Sequence, residues 1–296
     1  MECSLVTVVT PSYNRASLLP RLFNSLSAQT SHDFVWLVVD DGSTDHTRNV
    51  VEQFKEQAQS FKIVYIYKEN GGKHTALNVA IDYVETDLFF IVDSDDTLTP
   101  NAISTIEKDW QSVKDRHLSG ISYLRGYSQD KPIGDFFLKD HVIDSFNNMR
   151  VRSHIKGDKA EVWATEYLKR LRFPVYKGER FLVESWMWVQ VSDMADMLFV
   201  NKVIYLCEYL EGGLSLSGRK LRINCPNGGR TFSLLMMDRK FPLGERIKNG
   251  MLYVAYNFFS RRRVSEAFYC RHTLLTALCL IPGYLLYRYW DKKYNN

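Results

Sequence analysis

The sequence has 296 residues, of which 45% are hydrophobic and 14% aromatic, a composition that fits a folded globular protein and excludes a disordered chain. Its formal net charge of +4 is a small excess for this length, so no nucleic acid partner is expected. The five cysteines show no CxxC pair or metal-like spacing, which predicts reduced thiols in a cytoplasmic protein. No basic run followed by an apolar stretch opens the sequence, and no secretory signal is expected.

Strands and helices are predicted to alternate through the first hundred residues. Continuous apolar runs typical of buried strands are separated by stretches with apolar residues at helical spacing. The predicted strands lie at residues 5–10, 34–39, 63–67 and 88–92, and the predicted helices at residues 18–26, 50–54 and 76–84. This alternation predicts an α/β fold with a mostly parallel sheet flanked by helices, in which ligands collect at the carboxyl ends of the strands.

The alternation weakens after about residue 100. A helix is predicted at residues 102–113, strands at 120–125 and 205–210, and a helical region from about residue 231 to the end. Within that region, the apolar segment 273–287 is interrupted by Pro282-Gly283 and is shorter than the roughly 20 residues that span a bilayer. Arg261-Arg262-Arg263 precedes it. The segment is therefore either an interfacial helix with a basic flank or an ordinary helix packed on the rest of the protein.

Several carboxylates follow the fourth predicted strand directly, in the run Asp93-Ser94-Asp95-Asp96. Crowded carboxylates are unfavourable unless a cation neutralises them, and their oxygens suit Mg²⁺ or Mn²⁺, ions that commonly bridge substrate phosphates. The run predicts a metal and diphosphate site. The alternative is a solvated acidic loop that caps the helix starting near residue 101.

Three other loops precede this acidic run, each at the end of a predicted strand. They are Thr10-Pro11-Ser12-Tyr13-Asn14-Arg15, Asp40-Asp41-Gly42-Ser43-Thr44-Asp45 and Asn70-Gly71-Gly72-Lys73. The order of these motifs resembles that of family 2 glycosyltransferases of the GT-A fold. The resemblance implies an inverting, metal-dependent transfer of a sugar from a nucleotide-sugar, with a UDP-sugar as the expected donor. It also implies Mn²⁺ or Mg²⁺ as cofactor and a glycan or lipid-linked glycan as acceptor.

The resemblance assigns the nucleotide site to the first three loops. Pro11 and Tyr13 are expected to line the base pocket and Asp41 to accept hydrogen bonds from the base. Gly72 permits close backbone approach, and Lys73 reaches the nucleotide as a point charge. The binding residues expected in these loops are Pro11, Tyr13, Asn14, Arg15, Asp41, Gly72 and Lys73. Core packing for Tyr13, turn capping for Asp41 and a solvated Lys73 are the alternatives.

The acidic run is assigned to the donor by the same resemblance. Asp93 is expected near the ribose, Asp95 as the metal ligand on the diphosphate, and Asp96 close to the donor sugar, with Ser94 among the binding residues. The metal acts as a Lewis acid that offsets charge on the departing nucleoside diphosphate.

An inverting transfer requires a general base, which family members place at a Glu-Asp pair that begins a helix. Here Glu184 precedes a helical run, and Ser185 stands where the family has Asp. Glu184 is the predicted base, with Glu179 and Asp158 as alternatives; helix capping is the non-catalytic interpretation of Glu184.

The acceptor side is less clearly marked. Asp158 is expected to bind acceptor hydroxyls, unless it caps a following helix, and Lys159 to bind a phosphate. Trp186 is a candidate for stacking on a sugar, and one of Trp186 and Trp188 is expected in the core. The loop 212–220 is either a flap that brings Arg219 and Lys220 to the diphosphate or an ordinary surface loop.

Three regions follow from these assignments. Residues 1–98 form the nucleotide-sugar-binding half of a GT-A domain, residues 99–230 the acceptor-binding half, and residues 231–296 a helical region that contacts a membrane peripherally if its apolar segment is interfacial. The expected location is the cytoplasm, with peripheral contact at the inner face of the cell membrane if that segment is interfacial. A nucleotidyltransferase and a nucleotide-sugar-binding protein that has lost catalysis remain as alternatives, the latter because of Ser185.

Overall fold

The computed structural model describes residues 4–58, 60–207 and 218–294. The chain divides into two compact units. Unit one consists of Met1–Arg172 and Met187–Tyr209, and unit two consists of Phe173–Trp186 and Leu210–Asn296.

The first part of unit one alternates strictly between strands and helices. In chain order the elements are β1 Val6–Ser12, α1 Leu19–Ser27, β2 Phe34–Asp40, α2 Thr47–Gln57, β3 Lys62–Tyr67, α3 Lys73–Tyr83 and β4 Leu88–Ile91. β1 lies between β2 and β4 and is parallel to both, and β3 is parallel to β2. The strands and helices predicted for the first hundred residues are confirmed.

The rest of unit one extends this sheet with strands of both directions. Its strands and α-helices are β5 Thr97–Leu98, α4 Ala102–Val113, β6 Gly120–Ser128, β7 Lys131–Pro132, β8 Val142–Asp144, β9 Lys159–Ala164, α5 Thr165–Leu168, α6 Ser185–Val191 and β10 Met197–Leu206. A 3-10 helix lies at Lys114–Arg116 and a π-helical segment at Asn147–Arg152. Helix α6 begins in unit two. The strand order is β3-β2-β1-β4-β9-β6-β10-β5. β9 is antiparallel to β4 and β6, whereas β10 is parallel to β6.

Two expectations about this region are corrected. Asp158 was one candidate for a helix cap, but Lys159–Ala164 is strand β9. Its residues Ala160 and Val162 are buried in the core cluster of the sheet, and this long-range burial selects the strand. β10 also begins at Met197, eight residues before the strand that the sequence predicted, and the end of that predicted strand lies outside the described residues.

The core of unit one lies between the sheet and its helices. Phe23 of α1 stacks on Phe54 of α2 with ring centroids 4.3 Å apart, and Trp36 of β2 is fully buried beside them. Such aromatic pairs contribute about 0.5–1.5 kcal/mol beyond the burial of their area. The helices are therefore fixed on the sheet, and the loops at the carboxyl ends of the strands are held by a packed scaffold.

Unit two is helical. It contains α7 Gly218–Asn224, α8 Pro226–Met236, α9 Leu243–Phe259 and α10 Thr273–Tyr294, with a 3-10 helix at Val264–Phe268. The predicted helical region is confirmed, but Pro282 lies inside α10 and does not end it. Among the described residues, no helix combines the length and apolar character needed to cross a membrane.

Candidate active site

The loops after β1 and β2 are joined by Asn14. Its side-chain oxygen accepts hydrogen bonds from the backbone N–H groups of Thr44 at 2.8 Å and Asp45 at 3.3 Å, and its own N–H donates to Ser43 Oγ at 2.8 Å. Asn14 has a φ of 52°, a left-handed conformation that asparagine tolerates well. Asn14 therefore fixes one loop against the next.

Asp41 joins the loop after β2 to the glycine loop after β3. Its buried carboxylate accepts hydrogen bonds from the N–H groups of Gly71 at 2.9 Å and Gly72 at 2.7 Å, and from Lys68 Nζ at 2.6 Å. Three donors on one carboxylate hold the glycine loop in place. Asp41 thus caps the neighbouring loop, and a hydrogen bond from Asp41 to a nucleotide base stays a prediction.

Tyr13 stands out from the same edge of the sheet. Its side chain is 45% exposed, so the alternative that it packs in the core is wrong. Pro11 pairs with Val39 in the register of β1 and β2, and the N–H of Arg15 donates to Thr47 Oγ1 at 3.1 Å. This edge of the sheet therefore offers an aromatic face to solvent.

Asp93 is ion-paired with two cations. Lys73 Nζ lies 2.6 Å from Asp93 Oδ1, and Arg125 Nη1 lies 3.8 Å from Oδ2. Burial alone would raise the pKa of the Asp93 carboxyl, but Lys73 and then Arg125 outweigh it and lower that pKa. Lys73 is thus not a merely solvated lysine, and Asp93 is held as a carboxylate.

Asp96 has a different environment. Tyr205 of β10 donates its hydroxyl proton to Asp96 Oδ2 at 2.7 Å and accepts a hydrogen bond from the N–H of Asp93 at 2.9 Å. The Arg125 guanidinium lies 4.0 Å from the centre of the Tyr205 ring, within range of a cation–π interaction. Burial, followed by repulsion from Asp93, raises the pKa of Asp96 to about 6. Its expected place beside a donor sugar stays a prediction.

The Asp95 carboxylate differs from both of its neighbours. Arg21 donates to the backbone carbonyl of Asp95, and Ser94 is buried. Within residues 4–58, 60–207 and 218–294, no hydrogen bond or ion pair involves the Asp95 carboxylate. The same ranges contain no group of three or more His, Cys, Asp or Glu side chains able to hold a metal ion. One open carboxylate fits Mg²⁺ or Mn²⁺ whose other ligands are phosphates and water.

Several side chains that contact the site carboxylates were not found from the sequence, among them Lys68 beside Asp41 and both Arg125 and Tyr205 beside Asp93 and Asp96. Arg125 ends a predicted strand and Tyr205 begins one, so both were placed on strands without a role. A buried arginine is rarely tolerated without an anionic partner. A cation at the carboxyl end of a predicted strand was therefore the available signal for Arg125.

Lys159 is 2% exposed, and its ammonium group donates to the carbonyl oxygens of Ile133 at 3.3 Å, Asp135 at 2.7 Å and Lys156 at 3.0 Å. These bonds use all three of its donors. The arrangement favours a structural role for Lys159 over the expected contact with an acceptor phosphate. The neighbouring Asp158 is exposed.

Glu184 immediately precedes α6, as predicted, and Ser185 is the first residue of that helix. Trp186 contacts Phe173 with ring centroids 5.9 Å apart. Trp188 is buried and stacks on Trp163 at 4.7 Å. The expectation that one of the two tryptophans lies in the core is confirmed by Trp188.

Glu179 is committed to the N-terminus of α8. Its Oε1 accepts the N–H of Asn227 at 2.8 Å, and its Oε2 accepts the N–H of Gly228 at 2.9 Å. A buried carboxylate here satisfies backbone donors that the first helical turn leaves without partners. Glu179 thus stabilises a helix end, and this role argues against it as the base.

Arg219 and Lys220 lie in helix α7 rather than in a loop. The Arg219 guanidinium stacks over Trp290 of α10 at 4.3 Å, and Lys220 is exposed. The remainder of the predicted flap, residues 212–217, lies outside the described residues.

Comparisons with known proteins agree with this geometry. Residues 7–131 match the family model of Glycosyl transferase family 2. An uncharacterized glycosyltransferase of Nostoc sp. is 36% identical over 107 residues, which cover 36% of this chain and 33% of that protein. In Streptococcus pneumoniae, the glycosyltransferase GlyG is 25% identical, and the match covers 71% of this chain and 72% of GlyG. The glycosyltransferase GlyA of the same organism is 32% identical, and the match covers 71% of this chain and 31% of GlyA. The chain thus spans about a third of the Nostoc protein and of GlyA.

Solved structures support the fold. Residues 1–349 of S. aureus TarS in complex with UDP-GlcNAc superpose with a TM-score of 0.61 at 19% identity, and the match covers 94% of this chain and 79% of that TarS fragment. The mannosyltransferase PcManGT of Pyrobaculum calidifontis, in complex with GDP-Man and Mn²⁺, superposes with a TM-score of 0.59 at 19% identity. That match covers 97% of this chain and 83% of PcManGT. The protein has the α/β architecture of the GT-A class, with a helical C-terminal part. Residues 7–131 thus resemble glycosyl transferase family 2, and both relatives that match 71% of this chain are glycosyltransferases.

Proposed function

We propose that this protein is an inverting, metal-dependent glycosyltransferase that moves a sugar from a UDP-sugar to a glycan or lipid-linked glycan. Its expected place is the cytoplasmic face of a membrane, where it contributes to surface glycan synthesis. The observation that carries the proposal is the unequal environment of three adjacent carboxylates. Cations or a hydroxyl engage Asp93 and Asp96, whereas the Asp95 carboxylate is without such a partner in the described residues.

The donor is proposed to bind along the carboxyl ends of the parallel strands. Tyr13 offers its ring to the base beside Pro11, and Asn14 and Arg15 shape the same loop. The Asp41 carboxylate already accepts three hydrogen bonds, so it has room for about one more from a base N–H. Gly72 is proposed to allow close approach of the backbone, and the ion pair of Lys73 and Asp93 is proposed to face the ribose and phosphates.

The proposed metal is Mn²⁺ or Mg²⁺, held by Asp95 together with the donor diphosphate. When bound, it supplies Lewis-acid stabilisation of the departing nucleoside diphosphate. A site with one protein carboxylate is compatible with this role, because these ions usually retain several waters and bind through substrate phosphates. That PcManGT was solved with GDP-Man and Mn²⁺ supports the proposal by analogy.

The proposed base is Glu184, which would take a proton from the acceptor hydroxyl. It immediately precedes α6, the place at which the sequence motif predicts the base. Asp158 and Trp186 are proposed to contact the acceptor through hydroxyl groups and an apolar sugar face. Arg219 and Lys220 remain candidates for contact with the leaving group.

The rival proposal is a nucleotide-sugar-binding protein without turnover. It is favoured by Ser185, which stands where related enzymes carry Asp. The two proposals predict the same nucleotide affinity and differ in whether free nucleoside diphosphate accumulates in the presence of acceptor.

The test is calorimetric titration of UDP, GDP and dTDP into the purified protein, with and without Mn²⁺. We expect one nucleotide, UDP, to bind tightly and only with the metal, because the diphosphate completes the coordination that Asp95 begins. Binding of another nucleotide would change the donor class. An absence of binding for all three would contradict the proposed function.

Asp95→Ala is expected to lower the Mn²⁺-dependent affinity for UDP by about tenfold to a hundredfold, the effect of removing one charge-assisted contact. Asp115→Ala is the matched control, because Asp115 is an exposed carboxylate on a 3-10 helix and its loss is expected to leave the affinity unchanged. Equal affinities of Asp95→Ala and wild type would exclude Asp95 as the metal ligand.

A further inference from the structure

Helix α10 carries a row of large aliphatic side chains on its exposed surface. Leu274, Leu278, Ile281 and Leu285 are 76%, 70%, 73% and 61% exposed. Their spacing of four, three and four residues places them on one face of the helix. We call this row the α10 stripe. Scattered exposed leucines are ordinary, but a continuous apolar face marks an interaction surface.

The opposite face of α10 is already packed within unit two. A Cβ on Gly250 of α9 would lie 2.7 Å from Cys279 Sγ, and a Cβ on Gly283 would lie 2.6 Å from Val254 Cβ, so the two helices approach closely. Trp290 is buried farther along the same face and contacts Tyr256. These contacts run along both helices in the same direction and leave the stripe outside the packing of α9 and α10.

The stripe ends in aromatic and basic residues. Tyr284 and Tyr289 are exposed beside it, and Arg288, Lys292 and Lys293 follow within the same helix. Tyrosine is enriched where an apolar phase meets water, and lysine and arginine extend toward anionic headgroups. We propose that the α10 stripe is a membrane-binding surface that lies in the headgroup boundary of an anionic bilayer, with the helix axis parallel to the membrane.

Charge selects this partner over a second copy of the chain. An anionic headgroup layer supplies the negative charge that complements Arg288, Lys292 and Lys293. A second copy would bring the same stripe and the same basic helix end. The 22 residues of α10 rise about 33 Å, which is long enough to span a bilayer. Four basic or acidic residues in the last two turns oppose burial of that end in the hydrocarbon core, so an orientation parallel to the membrane fits better.

The test is co-sedimentation of the full chain with vesicles of phosphatidylcholine alone or phosphatidylcholine with phosphatidylglycerol. The wild type is expected to sediment with the anionic vesicles, and more weakly at high salt. The double variant Leu278→Ser and Ile281→Ser is expected to bind the vesicles at least about tenfold more weakly, because it loses two aliphatic side chains that would be buried in the bilayer. Leu138→Ser is the control, since Leu138 is 70% exposed but lies in unit one.

The double variant Lys292→Glu and Lys293→Glu separates charge from apolar contact. It is expected to lose the preference for anionic vesicles. Wild type that fails to sediment with anionic vesicles, or stripe variants that sediment equally, would overturn the proposal. A wild-type dimer that becomes monomeric in the stripe variant without vesicle binding would assign the stripe to a second copy. Calorimetric UDP binding in each variant reports separately on the proposed function, because the stripe is not part of the nucleotide site.

Discussion

Three carboxylates within four residues have three different environments. Asp93 is neutralised by Lys73, Asp96 accepts the Tyr205 hydroxyl, and Asp95 has an open carboxylate in the described part of the chain. The sequence predicted the cluster, because an apolar strand ends directly before it. It could not predict this division, since Lys73 and Tyr205 come from distant positions and only the folded sheet brings them to the cluster.

The buried environment of Lys159 likewise could not be predicted from the sequence, and its effect on protein stability can be tested by changing the pH. Burial, followed by repulsion from Arg150, lowers the pKa of its ammonium group to about 8. In the unfolded chain this pKa is about 10.4. Between these values the unfolded state binds more protons, so the contribution of Lys159 to stability rises with pH across this interval. Below about pH 8 the penalty for a buried charge is fully present.

We therefore expect the free energy of unfolding of the wild type, minus that of Lys159→Met, to rise by about 3 kcal/mol between about pH 7.5 and pH 10.5. Urea unfolding at both pH values measures this difference. Lys156→Met is the control, because the Lys156 side chain is exposed and should give a difference that does not change with pH. A constant difference for Lys159→Met would contradict the lowered pKa.

At the scale of elements, prediction succeeded where local pattern and long-range packing agree. β1 to β4 are short apolar runs that end in turn residues, and each was found. β9 was missed because Lys159, Glu161 and Trp163 alternate with small or apolar residues, which gives no continuous apolar run. The alternation of Lys159 and Glu161 with Ala160 and Val162 is itself the pattern of a half-buried strand, and in the fold this strand pairs with β4 and β6.

Glu179 and Glu184 lie five residues apart but serve different elements. Glu179 holds the first turn of α8, so Glu179→Gln is expected to lower stability by about 1–2 kcal/mol and to leave the turnover of folded protein unchanged. Glu184→Gln is expected to lower turnover by about 10²–10⁴-fold with unchanged affinity for UDP. Nucleotide release assays and thermal unfolding of both variants distinguish the roles. Full turnover of Glu184→Gln would remove Glu184 from the mechanism.

The contact between α9 and α10 depends on glycine. Gly283→Ala would place a Cβ 2.6 Å from Val254 Cβ and 2.8 Å from the Met251 carbonyl oxygen, and it is expected to destabilise the protein by about 1–3 kcal/mol. Gly244→Ala in α9 is the matched control, because its Cβ meets no atom within 4 Å and alanine favours a helix by up to about 1 kcal/mol. Denaturant unfolding compares them, and equal stability of Gly283→Ala and wild type would contradict close helix packing.

At the scale of the whole molecule, the chain passes between its two units three times. The sequence suggested consecutive regions, since composition and periodicity change along the chain and report only on neighbours. Residues Phe173–Trp186 belong to unit two because of contacts with residues far along the chain. Tyr176, for example, shares a hydrogen bond with Thr231. Such contacts leave no local pattern that a single sequence could reveal.

This connectivity predicts the behaviour of a chain that ends at Cys207. The segment 173–186 would then lose Thr231, Asn227 and Gly228, the partners of Tyr176 and Glu179. We expect trypsin to cleave after Lys177 and Arg180 at least about tenfold faster than in the full chain, because cleavage follows the local opening of a segment that has lost its contacts.

Mass spectrometry of timed digests measures both rates. Cleavage after Lys114, which follows α4 in unit one, is the internal control and should change little. If the fragment and the full chain are cut after Lys177 and Arg180 at the same rate, the hydrogen bonds to α8 do not hold this segment. Faster cleavage confined to it would show that the α8 contacts, rather than the sheet of unit one, keep the residues before Glu184 in place.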